Sequence, residues 1–158
     1  MTALKQIKTV QASLEAAIEF ERIMGEIYAK FAKIFADQQE LAQLWASMRE
    51  DELVHAQILE SVHEKLLPEQ KAAPAPQKIN ESIEYLYEVF TIAKNQNVQT
   101  FDEAYNVAHD FEFSEVNTVF KFLATELVAD YQHPDFLDNQ VDQHLYKLLN
   151  YKQKMLEE

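Results

Sequence analysis

Glu52 and His55 lie three residues apart in the stretch MREDELVHAQIL, a spacing that sets a carboxylate and an imidazole one turn apart on a single helix face. Oxygen and imidazole donors in that relation suit iron, manganese or zinc better than soft copper(I). Taken alone, the pair reads as a solvated surface pair. Its place in the wider pattern argues otherwise. Leu41, Trp45, Met48, Glu52, His55, Leu59, Val62 and Leu66 alternate by fours and threes, the mark of a helix seam facing a bundle core. An acid in such a seam needs a compensating partner, because stripping water from its charge is costly.

Three further seams carry polar residues at their middles. The first runs Val10, Leu14, Ala17, Glu21, Met24, Tyr28, Phe31, Phe35. Another runs Phe101, Tyr105, Ala108, Glu112, Glu115, Val119, Phe122, Glu126, and the last runs Leu137, Val141, His144, Leu148, Tyr151, Met155. Glu21, Glu52, His55, Glu112, Glu115 and His144 therefore point inward from four helices, as expected of one shared metal site. Other polar and aromatic residues have blander readings. Tyr28 and Trp45 read as core, His63 as an edge residue and His133 as part of a turn. Glu126 lies toward the bundle end, and Asp51 is left outside by the seam that takes Glu52 inward.

The elements that position these residues follow from composition. The 158 residues include one glycine, Gly25, and four prolines. So few turn formers argue against sheets and for long helices with few connections, and they exclude glycine-rich phosphate loops. With no cysteine, disulfides, thiolate zinc sites and iron–sulfur clusters are excluded. A net charge of −13 disfavours nucleic acid and anionic membranes as partners. Charges interrupt every apolar run, so neither a signal peptide nor a spanning helix is expected, and a cytoplasmic location is the default expectation.

Along the chain, residues 1–8 are a polar lead-in, Thr9 is an expected N-cap, and Asp37 is the candidate cap of the second helix, running to about Leu67. Residues 68–78 hold three prolines without a helical pattern and are expected to form a mobile loop. Residues 79–95 form a crossover helix outside the site, whose aromatic face could also serve a dimer contact. Thr100 to Glu103 fits a capping box opening a third core helix, and Pro134 suits the first turn of the last. The segment from Thr9 to Glu21 repeats in that from Thr100 to Glu112, with Thr9/Thr100, Ala17/Ala108, Phe20/Phe111 and Glu21/Glu112 in register. His55 aligns with His144, and Glu52 aligns with Val141. The expected architecture is all-α: one domain over residues 1–158, a four-helix bundle of two repeated hairpins joined by a long crossover.

This pattern resembles the ferritin-like superfamily and, within it, rubrerythrins that lack a rubredoxin domain. The resemblance covers roughly residues 9–66 and 100–156. It implies a di-iron centre, two iron ions per chain with manganese or zinc as alternatives. Glu21 and Glu112 would be the single carboxylates, Glu52 and His55 the first Glu-x-x-His, and His144 the second histidine. Glu115, in the segment Glu112–Phe–Ser–Glu115, would be a further carboxylate. One departure stands out: the second motif should carry Glu at 141, and this chain has Val141. Asp142 is about 100° round the helix from that position and cannot simply replace it, so Glu115 is the candidate replacement, and His109, one turn before Glu112, is a further candidate contributor to the site. The resemblance implies reaction with hydrogen peroxide or dioxygen, as a peroxidase or a ferroxidase; without cysteines any redox cycle needs an external electron donor, and a homodimer is expected. The competing expectation is a non-catalytic bundle whose degenerate site holds one metal or none.

Overall fold

A computed structural model of the chain describes residues 9–114, 116–125 and 134–157. The expectations placed on residues 1–8, Glu115, Glu126, His133 and the Leu137 side chain lie outside the described residues. The helices are α1 (Val10–Ile34), α2 (Gln39–Lys65), α3 (Pro68–Ala72), α4 (Gln77–Lys94), α5 (Phe101–Glu112), α6 (Val116–Thr125) and α7 (Pro134–Glu157). The architecture is an all-α bundle in which α1 packs along α2, α2 also meets α6 and α7, and α4 crosses α1, α5 and α6. No helix among the described residues is long and apolar enough to cross a membrane.

The two starts of the repeat are capped alike. The Thr9 hydroxyl accepts from the Ala12 N–H at 3.1 Å. Thr100 accepts from the Glu103 N–H at 3.2 Å while the Glu103 carboxylate accepts from the Thr100 N–H at 3.0 Å, which satisfies amides that a helix start leaves free. Every member of the first two seams is buried, from Val10 to Phe35 and from Leu41 to Leu66. The repeat also explains the crossover. Phe20 and Phe111 both reach Phe90 of α4, Phe20 at 4.9 Å between ring centroids and Phe111 at 4.5 Å. One crossover ring thus lies between the two repeat-related phenylalanines and ties the halves together.

Three boundaries differ from expectation. Asp37 does not cap α2; Gln38 holds that position without a side-chain hydrogen bond, because the chain is still turning, with the Gln38 N–H bonded to the Phe35 carbonyl. The segment expected as a loop without helix contains α3, and it is tied to the bundle start. The Val10 N–H donates to the Ala73 carbonyl at 2.9 Å, and Thr9 bridges Pro74. Proline at the first helical position costs no hydrogen bond, which is why a proline-rich segment can still hold a helical turn. Finally, the third core helix is not continuous.

The interruption follows Glu112, at Phe113 and Ser114. The Ser114 hydroxyl donates to the Phe111 carbonyl at 2.6 Å, a local bond that competes with the helical ladder. The Asn117 amide donates to the freed Glu112 carbonyl at 2.8 Å. After the break the buried face is Val116, Val119, Phe120, Leu123 and Ala124. Phe122, expected in the seam, is only partly buried.

Phe90 and Tyr85 test the crossover packing. Phe90→Ala should destabilise the fold by about 3–5 kcal/mol, as for other buried phenylalanines. Tyr85→Ala, at a side chain 52% exposed, should stay within about 0.5 kcal/mol of the parent. Urea unfolding of both variants measures the difference; equal losses would contradict the packing described.

Candidate metal centre

Five of the six side chains expected to share a site converge at mid-bundle. Glu21 comes from α1, Glu52 and His55 from α2, Glu112 from the last turn of α5 and His144 from α7. All five are at most 2% exposed. They form two groups, Glu21–Glu52–His55 and Glu52–Glu112–His144, in each of which one donor atom per residue lies within 4.8 Å of the others. His55 Nδ1 stands 3.5 Å from Glu21 Oε2 and 3.6 Å from Glu52 Oε2. His144 Nε2 stands 2.5 Å from Glu52 Oε1 and 2.8 Å from Glu112 Oε1. Glu52 belongs to both groups and divides its oxygens between them.

Among the described residues, Glu52 is the only one with two buried side-chain oxygens left without a hydrogen-bond partner. Neither of its oxygens meets a donor in hydrogen-bonding geometry, and His55 Nε2 is likewise without a partner. A buried carboxylate with two such oxygens is an uncompensated cost. Carboxylate oxygens and imidazole nitrogens gathered at these distances fit a cation such as iron, manganese or zinc. The donor set and its orphaned oxygens therefore suit the metal that the sequence suggested.

Protons also relieve the crowding of charge in this cluster. Burial, and next the negative charge of Glu52, push the Glu21 carboxyl well above the usual range. Burial would raise Glu52 as well, but the charge of His144 and the close approach of Glu21 and His55 outweigh it and keep Glu52 ionised. Burial disfavours a charged imidazole, yet the adjacent Glu21 and Glu52 carboxylates lift His55 to about 10. His144 is raised in the same way, against burial, by the charges of Glu112 and Glu52.

Two residues given blander readings in the sequence support this centre. The Tyr28 hydroxyl donates to Glu112 Oε1 at 2.6 Å, while its ring packs on Trp45 at 5.6 Å. It is core, as its seam position says, and it also fixes a carboxylate. Burial and the nearby Glu112 charge raise its pKa well above 10.0, so it stays a neutral donor. Asp51 does face away from the seam, but its Oδ2 reaches across to His144 Nδ1 at 2.9 Å. Lys147 donates to the same oxygen at 2.7 Å and to the Ser47 hydroxyl at 2.8 Å. The sequence signal for this clamp was faint: Lys147 falls one turn after His144, as Asp51 adjoins Glu52.

The other expectations separate cleanly. Val141 is buried at 2% exposure and offers no donor, and Asp142 is exposed. His109 joins neither group; its ring stacks on Phe113 at 4.5 Å, in a groove of about 410 Å³ between α4 and α5. The reading of His109 as a further contributor is thereby corrected: although it lies one turn before Glu112, its ring packs against Phe113 and not into either group. His63 sits at the edge, 3.6 Å from Glu15.

Because metal must displace the protons on the two histidines, its affinity should rise with pH from about 6 toward 10 and weaken as pH falls. The stability of the metal-free protein should move the other way. The folded value of His55, about 10, exceeds its ordinary 6.5, so its contribution is full below about 6.5 and is lost as pH rises through about 10. Thermal melts across that window should therefore show the metal-free protein weakening on going alkaline. The zinc-loaded protein should weaken less, and parallel curves would count against a proton-filled site.

A family model described as rubrerythrin matches residues 13–139. The match takes in Glu21, Glu52, His55 and Glu112 and ends before Val141 and His144. No curated protein and no solved structure matches. The helical bundle is of the ferritin-like kind, and it carries buried carboxylate and histidine groups able to hold metal. With four-fifths of its length matched by that model, the chain belongs to the rubrerythrin family.

Proposed function

We propose that this chain is a dinuclear carboxylate protein, with iron as its metal and hydrogen peroxide or dioxygen as its oxidant. The observation that carries the reading is Glu52, whose two oxygens, both without hydrogen-bond donors, face two histidine-containing groups. Glu52 would lie between two cations, with Glu21 and His55 completing one position and Glu112 and His144 the other. A bound ferrous pair would supply the two electrons that, with two protons, reduce hydrogen peroxide to two waters.

The protein's part is to hold its donors apart in a dry site. Leu14, Met24, Met48, Leu59, Val119 and Phe120 are among the buried apolar residues of the core that encloses it. Exclusion of water strengthens the attraction between buried carboxylates and any cation. Tyr28 keeps one Glu112 oxygen oriented by donating to it. His144 is held with Nε2 inward by the bond of its Nδ1 to Asp51. Reducing equivalents for repeated turnover would come from an external donor, since no cysteine is present to form a thiolate iron site. A homodimer, through the aromatic face of the crossover helix, and a cytoplasmic setting remain part of the same proposal.

Val141 favours a second reading. With an aliphatic side chain where the family's second motif carries its acid, the chain would be a binding or structural bundle that holds one metal or none. Anaerobic reconstitution with ferrous iron decides between the two. Two irons per chain, oxidised rapidly when peroxide is added, are expected; one or none, with no spectral change, would leave only the non-catalytic reading. Glu115 is proposed as the replacement carboxylate. Glu115→Ala should lose more iron than Glu126→Ala, and equal retention in both would remove Glu115 from the ligand set.

A further inference from the structure

The repeat suggests two equivalent halves, and the side chains around them are not equivalent. Among the described residues each group presents three donors and shares Glu52, so donor number does not rank the two metal positions. What differs is how the donors are held. On the His144 side, Nδ1 is fixed at 2.9 Å by Asp51, which is in turn gripped by Lys147 at 2.7 Å. Lys147 is itself tied to Ser47, so the clamp joins α7 to α2. Glu112 on this side is fixed by Tyr28 at 2.6 Å, and Asn117 lies 3.5 Å from its other oxygen.

Among the described residues, the His55 side has no counterpart. His55 Nε2 is buried without a hydrogen-bond partner, and the ring rests against Phe120 at 4.7 Å. The Glu21 carboxylate meets His55 and Glu52, both within the centre. A histidine whose outer nitrogen is bonded to a carboxylate is a better oriented and more basic ligand, and loss of such outer partners typically lowers metal affinity about 10–100-fold. Donors already fixed in place also lose less freedom on binding.

We propose that the two metal positions are unequal: the position between Glu52, Glu112 and His144 is the tighter, the one between Glu21, Glu52 and His55 is the exchangeable one, and Asp51, backed by Lys147, is the positioning residue that sets the difference. The inference rests on the metal-binding reading above and reverses the ranking that the intact Glu52–His55 motif suggests. Completeness of the motif is thus outweighed by the outer support of the incomplete half.

Cobalt(II) titrated anaerobically into the full-length protein, followed by visible absorbance and calorimetry, tests this. The expected titration has a tight and a weak step. His144→Ala should remove the tight step, and His55→Ala the weak one. Asp51→Ala should weaken the tight step about 10–100-fold and leave the weak one in place, and Lys147→Met should do the same to a smaller degree. Long-range proton–nitrogen NMR of the zinc-loaded protein adds a readout that general destabilisation would not move. The Nδ1 proton of His144 should be seen in the parent and shift on Asp51→Ala, while the His55 signals stay in place. If Asp51→Ala does not fold, Lys147→Met carries the comparison. Binding of a single ion that survives His55→Ala but not His144→Ala supports the proposal. Two equal steps, a tight step removed by His55→Ala, or equal weakening of both steps by the clamp variant would overturn it. Absence of cobalt binding to the parent protein would instead overturn the metal-binding reading itself.

Discussion

The constraint on which the rest of this structure depends is the burial of three carboxylates and two imidazoles in the middle of an apolar bundle. Such groups cannot be left ionised and unpaired in a water-poor interior, where each uncompensated charge costs several kcal/mol. In the metal-free protein they compensate one another, with protons on His55, His144 and Glu21 and a negative charge on Glu52. That arrangement is serviceable and incomplete, since both Glu52 oxygens still lack hydrogen-bond donors. The site is organised for positive charge, and protons meet the requirement less well than cations would.

The scaffold is arranged so that this cluster is assembled from parts that could not assemble it locally. Glu21 and Glu112 are 91 residues apart in sequence and both come within reach of Glu52. Phe90 of the crossover helix lies between Phe20 and Phe111, each adjacent to one of these acids. The crossover therefore does more than span the bundle; it holds the two repeat units in register beside the buried acids they carry. The break after Glu112 has a related effect. It ends α5 at Glu112 itself, and Asn117 on the next helix takes up the Glu112 carbonyl that the break releases.

Much of this was legible in the chain because helical periodicity is a local property. Fours and threes in the first two seams name a buried face, and every residue so named is buried. The caps at Thr9 and Thr100 were legible for the same reason, since a hydroxyl three residues before its amide partner is a local geometry. The interruption at Phe113 and Ser114 was not, because the seam alternation runs on past it without a glycine or proline to mark the stop. Nor was α3, where proline was read as a breaker although it is tolerated at a first helical turn.

The sequence by itself determined the all-helical class, the two-hairpin repeat, and the inward direction of Glu21, Glu52, His55, Glu112 and His144, because each depends on spacing within one helix. It also showed Val141 as the missing acid. Only the tertiary structure decided that Glu52 lies between the two groups, that Tyr28 orients Glu112, and that Asp51 serves a histidine 93 residues away and not the one on its own helix. Those are contacts between helices, set by how seams rotate and slide against each other, and no spacing along a single helix contains that information. The motif that looks whole in the sequence is for this reason the less supported half of the centre.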